Sequence, residues 1–165
     1  MIYTANITTP ANTARSLLLK TTIDVTKGLV YKVEFYFPPG SAGLMGLAVF
    51  DGLFQVWPST VGEFFVSDDE TISFDDMFLM ESEPFEFQCY TYNTDDTHDH
   101  FVSVRIGLVL KEVFQARYLP QKSSEVFMQV LAQMEVEREL LAQRQREMMP
   151  ATAFEWMLRR EAEKR

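Results

Sequence analysis

The sequence predicts a mainly β fold, an antiparallel β-sandwich of the jelly-roll kind with a helical extension at its C-terminal end. In several segments apolar residues recur at every second position, as in a strand with one buried face. Turn residues separate these segments at roughly ten-residue intervals, a spacing typical of sandwiches rather than of doubly wound folds. We therefore expect a flexible N-terminal arm over 1–15, rich in Thr, Asn and Ala, then a sandwich over 16–119 and helices over 120–165.

Two alternating segments form the clearest pair of strands. The second of them, 101–114, places its apolar side chains on one parity: Val102, Val104, Ile106, Leu108 and Leu110. The first, 84–93, alternates in the same way, with Phe85, Phe87 and Cys89 on one parity. The polar residues that join the two segments predict the tip of an antiparallel hairpin.

The other strands lie between turn signals. We predict strands at 17–25, 29–37, 47–50, 53–57, 61–66 and 71–74, with 75–80 as a candidate edge strand. Pro38-Pro39-Gly40 ends one of these strands, because neither proline can donate a hydrogen bond to a ladder. Asp51-Gly52 separates two apolar runs and is the strongest short hairpin signal in the chain.

The C-terminal segment predicts two helices broken near Pro150. Ser123 or Ser124 can cap the first helix, and residues 152–155 have the form of a capping box for the second. The heptad pattern is too broken for a long coiled coil, and such helices are marginal alone in water. They must therefore lie on their own sandwich or on a partner. The candidate partner-binding residues are Phe127, Val130, Leu131, Met134, Leu141, Phe154, Met157 and Leu158.

Composition argues against several functional classes. The formal charge of −9 disfavours nucleic acid and anionic membranes as partners, because both bind patches of Lys and Arg. No apolar run approaches the ~20 residues that span a bilayer. The first residues lack the pattern of a signal peptide, so we expect synthesis in the cytoplasm. Cys89 lies within a strand, which predicts a buried thiol without a disulfide partner.

Catalytic motifs are missing from the sequence. Its two histidines, His98 and His100, both lie in the loop after residue 93, and no serine stands in a G-x-S-x-G elbow. Asp75 and Asp76 are adjacent, so they would point to opposite faces of a strand. We therefore predict a protein that is not an enzyme and holds no obligatory cofactor.

Two alternatives involve a small ligand. Asp95, Asp96 and Asp99, with the two histidines, form the only metal-like cluster and are candidate Ca²⁺ ligands. The same residue types are common at turns, where they bond to nearby backbone groups. In the second alternative, a set of aromatic side chains forms a platform for carbohydrate, although large rings are more often buried. That set is Tyr36, Phe54, Trp57, Tyr90 and Tyr92.

Four short segments resemble small β-sandwich proteins encoded among phage and prophage virion genes. They are TKGLVY at 26–31, FPPG at 37–40, QVWPS at 55–59 and YNTDD at 92–96. The resemblance covers about residues 20–112 and none of the C-terminal segment. It implies a structural role in a particle and carries no catalytic motif.

These observations favour a structural or interaction protein. We expect a virion or particle subunit that self-associates, or binds other subunits, through its N-terminal arm and its C-terminal helices. The alternative is a ligand-binding sandwich module that takes carbohydrate or depends on Ca²⁺.

Overall fold

A computed structural model describes residues 1–118 and 124–148 of the chain. The strands are β1 (Ile2–Thr9), β2 (Leu19–Asp24), β3 (Gly28–Phe37), β4 (Met45–Asp51), β5 (Phe54–Trp57), β6 (Phe65–Val66), β7 (Glu70–Phe74), β8 (Phe78–Met80), β9 (Glu86–Asn93) and β10 (His100–Val109). Two helices follow, α1 (Lys111–Tyr118) and α2 (Ser124–Met148). The fold is mainly β with a C-terminal helix, as predicted.

The strands form two antiparallel sheets. The first sheet has the order β1-β10-β3-β7, and β8 pairs with the other half of β3. The second sheet has the order β2-β9-β4-β5, and β6 pairs with β4. The core lies between the two sheets, where the aromatic rings of Phe35, Trp57 and Phe87 meet aliphatic side chains from β10.

The alternation predicted for β10 is confirmed over most of its length. Val102, Val104, Ile106 and Leu108 are fully buried in the core, whereas Leu110 lies beyond the strand and is exposed. The strand ends at Val109, so the prediction that it continues to residue 114 is wrong. Residues 111–118 form α1 instead, because helical spacing brings Phe114 against α2, where its ring stacks on Phe127 at 5.4 Å.

The predicted hairpin between β9 and β10 is also wrong, because the two strands belong to opposite sheets. β9 pairs with β2 and β4, whereas β10 pairs with β1 and β3. Residues 94–99 therefore cross from one sheet to the other. Period two reveals which face of a strand is buried and says nothing about its neighbour. The hairpin predicted at Asp51-Gly52 does form, between β4 and β5, with Gly52 at positive φ.

The N-terminal arm is a strand, in contrast to the irregular segment expected. β1 pairs with β10 along its whole length, from Ile2 opposite Gly107 to Thr9 opposite His100. Alternate side chains of β1 turn inward, and Ile7 and Thr9 are buried. The many polar residues hid this alternation in the sequence, because a strand at the edge of a sheet needs few large apolar side chains.

An irregularity between β3 and β10 decides where α2 lies. Gly107 pairs with Lys32 and Leu108 with Val30, so Tyr31 is an extra residue in β3. The bulge reverses the alternation, because side chains on its two sides point to opposite faces. Val30 thus enters the core, and Leu29 turns to the outer face of the first sheet. There it forms an apolar patch with Leu79, which α2 covers.

Candidate protein-interaction surface

Helix α2 packs on the outer face of the chain's own first sheet. Phe127 and Leu131 are buried in a cluster with Leu29 and Leu79, and Val109 and Phe114 contact the edge of this cluster. The described part of the extension therefore packs on the same chain. Burying two large side chains in this way stabilises a helix that would be marginal alone.

A polar anchor holds the second half of α2. Arg138 donates a hydrogen bond from Nη1 to the carbonyl oxygen of Leu79 at 3.0 Å. Its guanidinium group lies 4.7 Å from the centre of the Phe78 ring, a favourable cation–π geometry. Burial raises the pKa of the Asp51 carboxyl group, and the positive charge of Arg138 acts in the opposite direction. Arg138 is thus both an anchor for the helix and a source of charge beside a carboxyl group.

One flank of α2 remains apolar and exposed. Residues at intervals of three, four and seven share a side of a helix, and this flank follows that spacing. We call it the helix strip: Val126 (59% exposed), Val130 (43%), Met134 (37%) and Leu141 (51%). The strip runs beside the buried line through Phe127 and Leu131. It is the largest set of exposed apolar side chains that the described helices place on one side.

The helix strip continues onto the sandwich around a groove. Met134 lines this groove of about 530 Å³ together with Phe114, Tyr31 and Met77. Met77 and Tyr31 are themselves exposed, so apolar surface extends from α2 to the link between β7 and β8. Tyr31 is positioned by the bulge, where its ring covers Gly107 so closely that a Cβ atom there would lie 2.9 Å from the ring.

The two carboxylates of this groove have protein partners. Asp75 Oδ1 pairs with the Lys32 ammonium group at 3.1 Å, and Asp76 Oδ2 accepts a hydrogen bond from the Trp57 indole at 2.6 Å. Both residues lie in the link between β7 and β8 rather than in a strand. The pair therefore serves as structural contacts on the groove wall.

The candidate partner-binding residues divide into three groups. Phe127 and Leu131 are buried against the sandwich, which removes them from any surface that a partner contacts while α2 stays docked. Val130, Met134 and Leu141 are exposed in the helix strip. Phe154, Met157, Leu158 and the predicted break near Pro150 lie outside the described residues. No pattern in the sequence marks Tyr31 and Met77 as part of this surface, because only the bulge and the β7–β8 link bring them beside α2.

The acidic loop between β9 and β10 is held by its own hydrogen bonds. Asp95 accepts bonds from the backbone amides of Thr97 and His98 and from His100 Nε2 at 2.9 Å. These donors, the Thr97 amide above all, lower the pKa of Asp95 to about 2. Asp99 accepts a bond from the backbone amide of Ala11.

The three candidate metal ligands do not converge. Within 1–118 and 124–148, no group of three or more His, Cys, Asp or Glu side chains is placed to hold a metal ion. Asp96 bonds to the Thr97 hydroxyl, while Asp95 and Asp99 bond to the partners described above. The prediction of a Ca²⁺ site at Asp95, Asp96 and Asp99 is therefore not supported by the geometry, which follows the turn-forming alternative.

Asn93, which the sequence analysis did not single out, ties this loop to the N-terminal segment. The buried side chain donates from Nδ2 to the carbonyl oxygens of Thr9 and His98, and its Oδ1 accepts a bond from the Asp95 amide. The loop and residues 9–13 thus close one end of the sandwich together. The signal in the sequence was only an Asn at the end of a strand, which is common at turns.

The proposed carbohydrate platform is absent. Trp57, Tyr90 and Tyr92 are buried, and Tyr36 and Phe54 are half-buried. Trp57 lies in the core, whereas Tyr90 and Tyr92 belong to a second apolar cluster on the outer face of the second sheet. A sugar ring needs an exposed aromatic face, which none of these three offers. Cys89 is likewise buried, and burial raises the pKa of its thiol to about 12.

The sequence matches no protein-family model and no curated protein. In the part of the chain that the structure describes, neither helix is long and apolar enough to cross a membrane. Any assignment of function must therefore come from the chain's own residues.

Proposed function

We propose that this protein is a non-enzymatic structural subunit that assembles with other protein subunits through the helix strip. The observation that carries the proposal is that α2, although docked on its own sandwich, leaves Val126, Val130, Met134 and Leu141 exposed beside a largely apolar groove. Continuous apolar surface of this kind marks protein contacts. Methionine suits such contacts because its side chain adapts to the shape of a partner.

The resemblance to phage and prophage virion proteins supports a particle as the assembly. An acidic sandwich suits a subunit that contacts other proteins rather than the genome, because nucleic acid binds basic surfaces. The ligand-binding alternative has no comparable support, since its aromatic rings are buried or half-buried and its carboxylates bond to groups of the loop and to the Ala11 amide.

The role of the N-terminal arm changes in this proposal. Its first residues form β1 in the chain's own first sheet, so the arm is not a free segment that could bind a neighbouring subunit. The helix strip is therefore the main contact surface.

The test is absolute mass by light scattering, over a concentration series, on the full chain. We compare the wild type with Val130→Glu/Leu141→Glu, which places two negative charges on the helix strip. The matched control is Gln129→Glu/Ala132→Glu, which adds the same charge at exposed positions on another side of α2. We expect a wild-type mass above the 19.1 kDa of one chain, a lower mass for the strip variant, and no change in the control.

Two outcomes would contradict the proposal. One is a wild-type mass of a single chain at every concentration. The other is a strip variant that assembles as the wild type does. Circular dichroism of each variant shows whether α2 remains helical, so that a change in mass can be assigned to the surface rather than to unfolding.

A further inference from the structure

Among the described residues, the first sheet ends in a strand whose outer hydrogen-bonding edge pairs with no other strand. β1 is the outermost strand of the order β1-β10-β3-β7. The Met1 nitrogen donates to the Leu108 oxygen at 2.6 Å, and the Leu108 amide donates to the Met1 oxygen at 2.8 Å. Because such exchanged bonds alternate along an antiparallel pair, the odd-numbered residues of β1 bond to β10. The backbone groups of the even-numbered residues, Ile2, Thr4, Asn6 and Thr8, point to the free side.

This edge lacks the usual protection against pairing. Residues 1–14 contain no charged side chain, and the eight residues of β1 contain neither proline nor glycine. Natural edge strands are usually short, or carry lysine, proline or bulges that prevent another strand from adding. The other outer strands have such features: β2 contains Lys20 and Asp24, β7 starts at Glu70, and β5 has only four residues.

The distribution of charge points to a second copy as the partner of this edge. Because residues 1–14 have no charged side chain, the whole formal side-chain charge of −9 lies in the rest of the chain. Two copies therefore repel one another over most of their surfaces. At β1 they can approach without bringing like charges together.

We propose that β1 pairs in an antiparallel register with β1 of a second copy across a twofold axis, so that the two first sheets become one continuous sheet. With Ala5 on the axis, Ile2 lies opposite Thr8 of the second copy and Thr4 opposite Asn6. This register uses all four free residues of each strand, and the small side chain of Ala5 lets the strands approach closely. The same surface patch serves both copies, as an isologous interface requires.

This inference rests on the proposed function, because it supplies a second contact between subunits. Its test is Ile2→Lys/Thr8→Lys in the full chain, which places lysines at two exposed, outward positions that face each other across the axis in this register and leaves the bonds to β10 unaltered. The matched control is Thr71→Lys/Ser73→Lys, at exposed outward positions on β7 at the opposite edge of the same sheet. A third variant, Ile2→Glu/Thr8→Glu, places negative charges at the same two positions, so that it can be mixed with the lysine variant.

We expect light scattering to give a wild-type mass that is an even multiple of 19.1 kDa. The β1 lysine variant should have half that mass, and the β7 control should keep it. Mixing the β1 lysine and β1 glutamate variants should restore the wild-type mass, because opposite charges then face each other across the axis. An unchanged mass in the lysine variant, or no recovery in the mixture, would overturn the proposal.

Hydrogen exchange adds a residue-level readout. In the wild type the amides of Thr4, Asn6 and Thr8 should be protected, and in the lysine variant they should exchange fast. The amides of Tyr3, Ala5 and Ile7 bond to β10 and should stay protected in both, which shows that β1 is folded. Fast exchange at the even positions of the wild type would also refute the β1 pairing.

The two proposals fail in different ways. If the helix-strip variant lowers the mass and the β1 lysine variant does not, the assembly function stands and the β1 interface is wrong. If the β1 variant halves the mass and the strip variant has no effect, the strip is wrong and the β1 interface stands.

Discussion

The two outer faces of the sandwich both carry an apolar patch, and they differ in what covers it. On the second sheet Phe50, Tyr90 and Tyr92 form a cluster that segments between the strands close. Arg15 completes the cover, since its guanidinium group lies 5.1 Å from the Phe64 ring centre and 4.9 Å from that of Tyr92. On the first sheet the patch around Leu29 and Leu79 is covered by α2, with Phe114 of α1 at its edge.

This difference separates a surface that stabilises the fold from a surface that is available for contacts. The segments over the second sheet are short and are fixed at both ends by strands. Their side chains Leu18, Leu53, Val61 and Phe64 turn inward onto the cluster, and Leu17 is the one large apolar side chain beside them that is exposed. Helix α2 is held by few residues, and its curved surface can bury only one side. Its remaining apolar side chains face outward, which is why we place assembly on the first sheet's side of the molecule.

The largest expected loss of stability is at the outer face of the second sheet, where Tyr92 belongs to the covered cluster. Replacing Tyr92→Ala should lower the free energy of unfolding by about 3–5 kcal/mol, as for other buried aromatic truncations. The ring fills the space above Gly46, where a Cβ atom would clash with it. It also meets the Phe64 ring edge to face at 5.1 Å and lies beneath the Arg15 guanidinium group. Urea unfolding measures the loss. Tyr92→Phe, which keeps the ring, is the control, and a loss for Tyr92→Ala as small as that control's would show that this face does not stabilise the fold.

The next effect concerns the docking of α2. Replacing Leu131→Ala should cost about 2–3 kcal/mol, at the low end for buried leucines because solvent borders one side of the helix. Hydrogen exchange should accelerate in α2 while β9 and β10 stay protected. The control is Val136→Ala, an exposed position where the change should stay within about 0.5 kcal/mol. Equal acceleration throughout the sandwich would mean that helix and sandwich unfold as one unit. It would contradict the view that α2 is held less firmly than the cover of the second sheet.

A smaller effect is expected at the polar anchor of α2. Arg138→Gln removes the cation–π contact and weakens the bond to the Leu79 carbonyl oxygen, which should cost about 1–2 kcal/mol. It also removes the positive charge beside Asp51, so the already raised pKa of Asp51 should rise further. Carboxyl NMR titration measures this pKa, with Arg144→Gln as the control. An unchanged Asp51 pKa would show that Arg138 does not hold α2 beside this carboxyl group.

The smallest expected change in stability comes from Asp95, in the loop between β9 and β10. It should leave the contacts on the two outer faces of the sandwich unchanged. The pKa of Asp95 is lowered from 3.8 to about 2, so its ionised form stabilises the native state above pH 3.8. This contribution is lost as the pH falls from 3.8 towards 2. Asp95→Asn should therefore be less stable than the wild type near neutral pH, and the difference should shrink over this window. Urea unfolding at several pH values measures it, and a difference that is constant with pH would disprove the assignment.

The sequence by itself determined the class of fold and much of the core. Val102, Val104, Ile106 and Leu108 could be assigned to the interior from their spacing alone, because alternation in a strand is a local property. The helical character of α2 and several of its exposed apolar residues were predictable for the same reason, since periodicity and helix propensity are written in neighbouring positions.

Only the tertiary structure decided which strands are neighbours and where α2 lies. The partner of β10 depends on contacts with β1 and β3, which are distant in sequence, so no local pattern separates a hairpin from a crossing between sheets. The bulge at Tyr31 likewise arises from the pairing of two strands. It turns Leu29 outward, and this side chain forms with Leu79 the patch on which α2 docks. The docked helix then leaves the helix strip facing solvent.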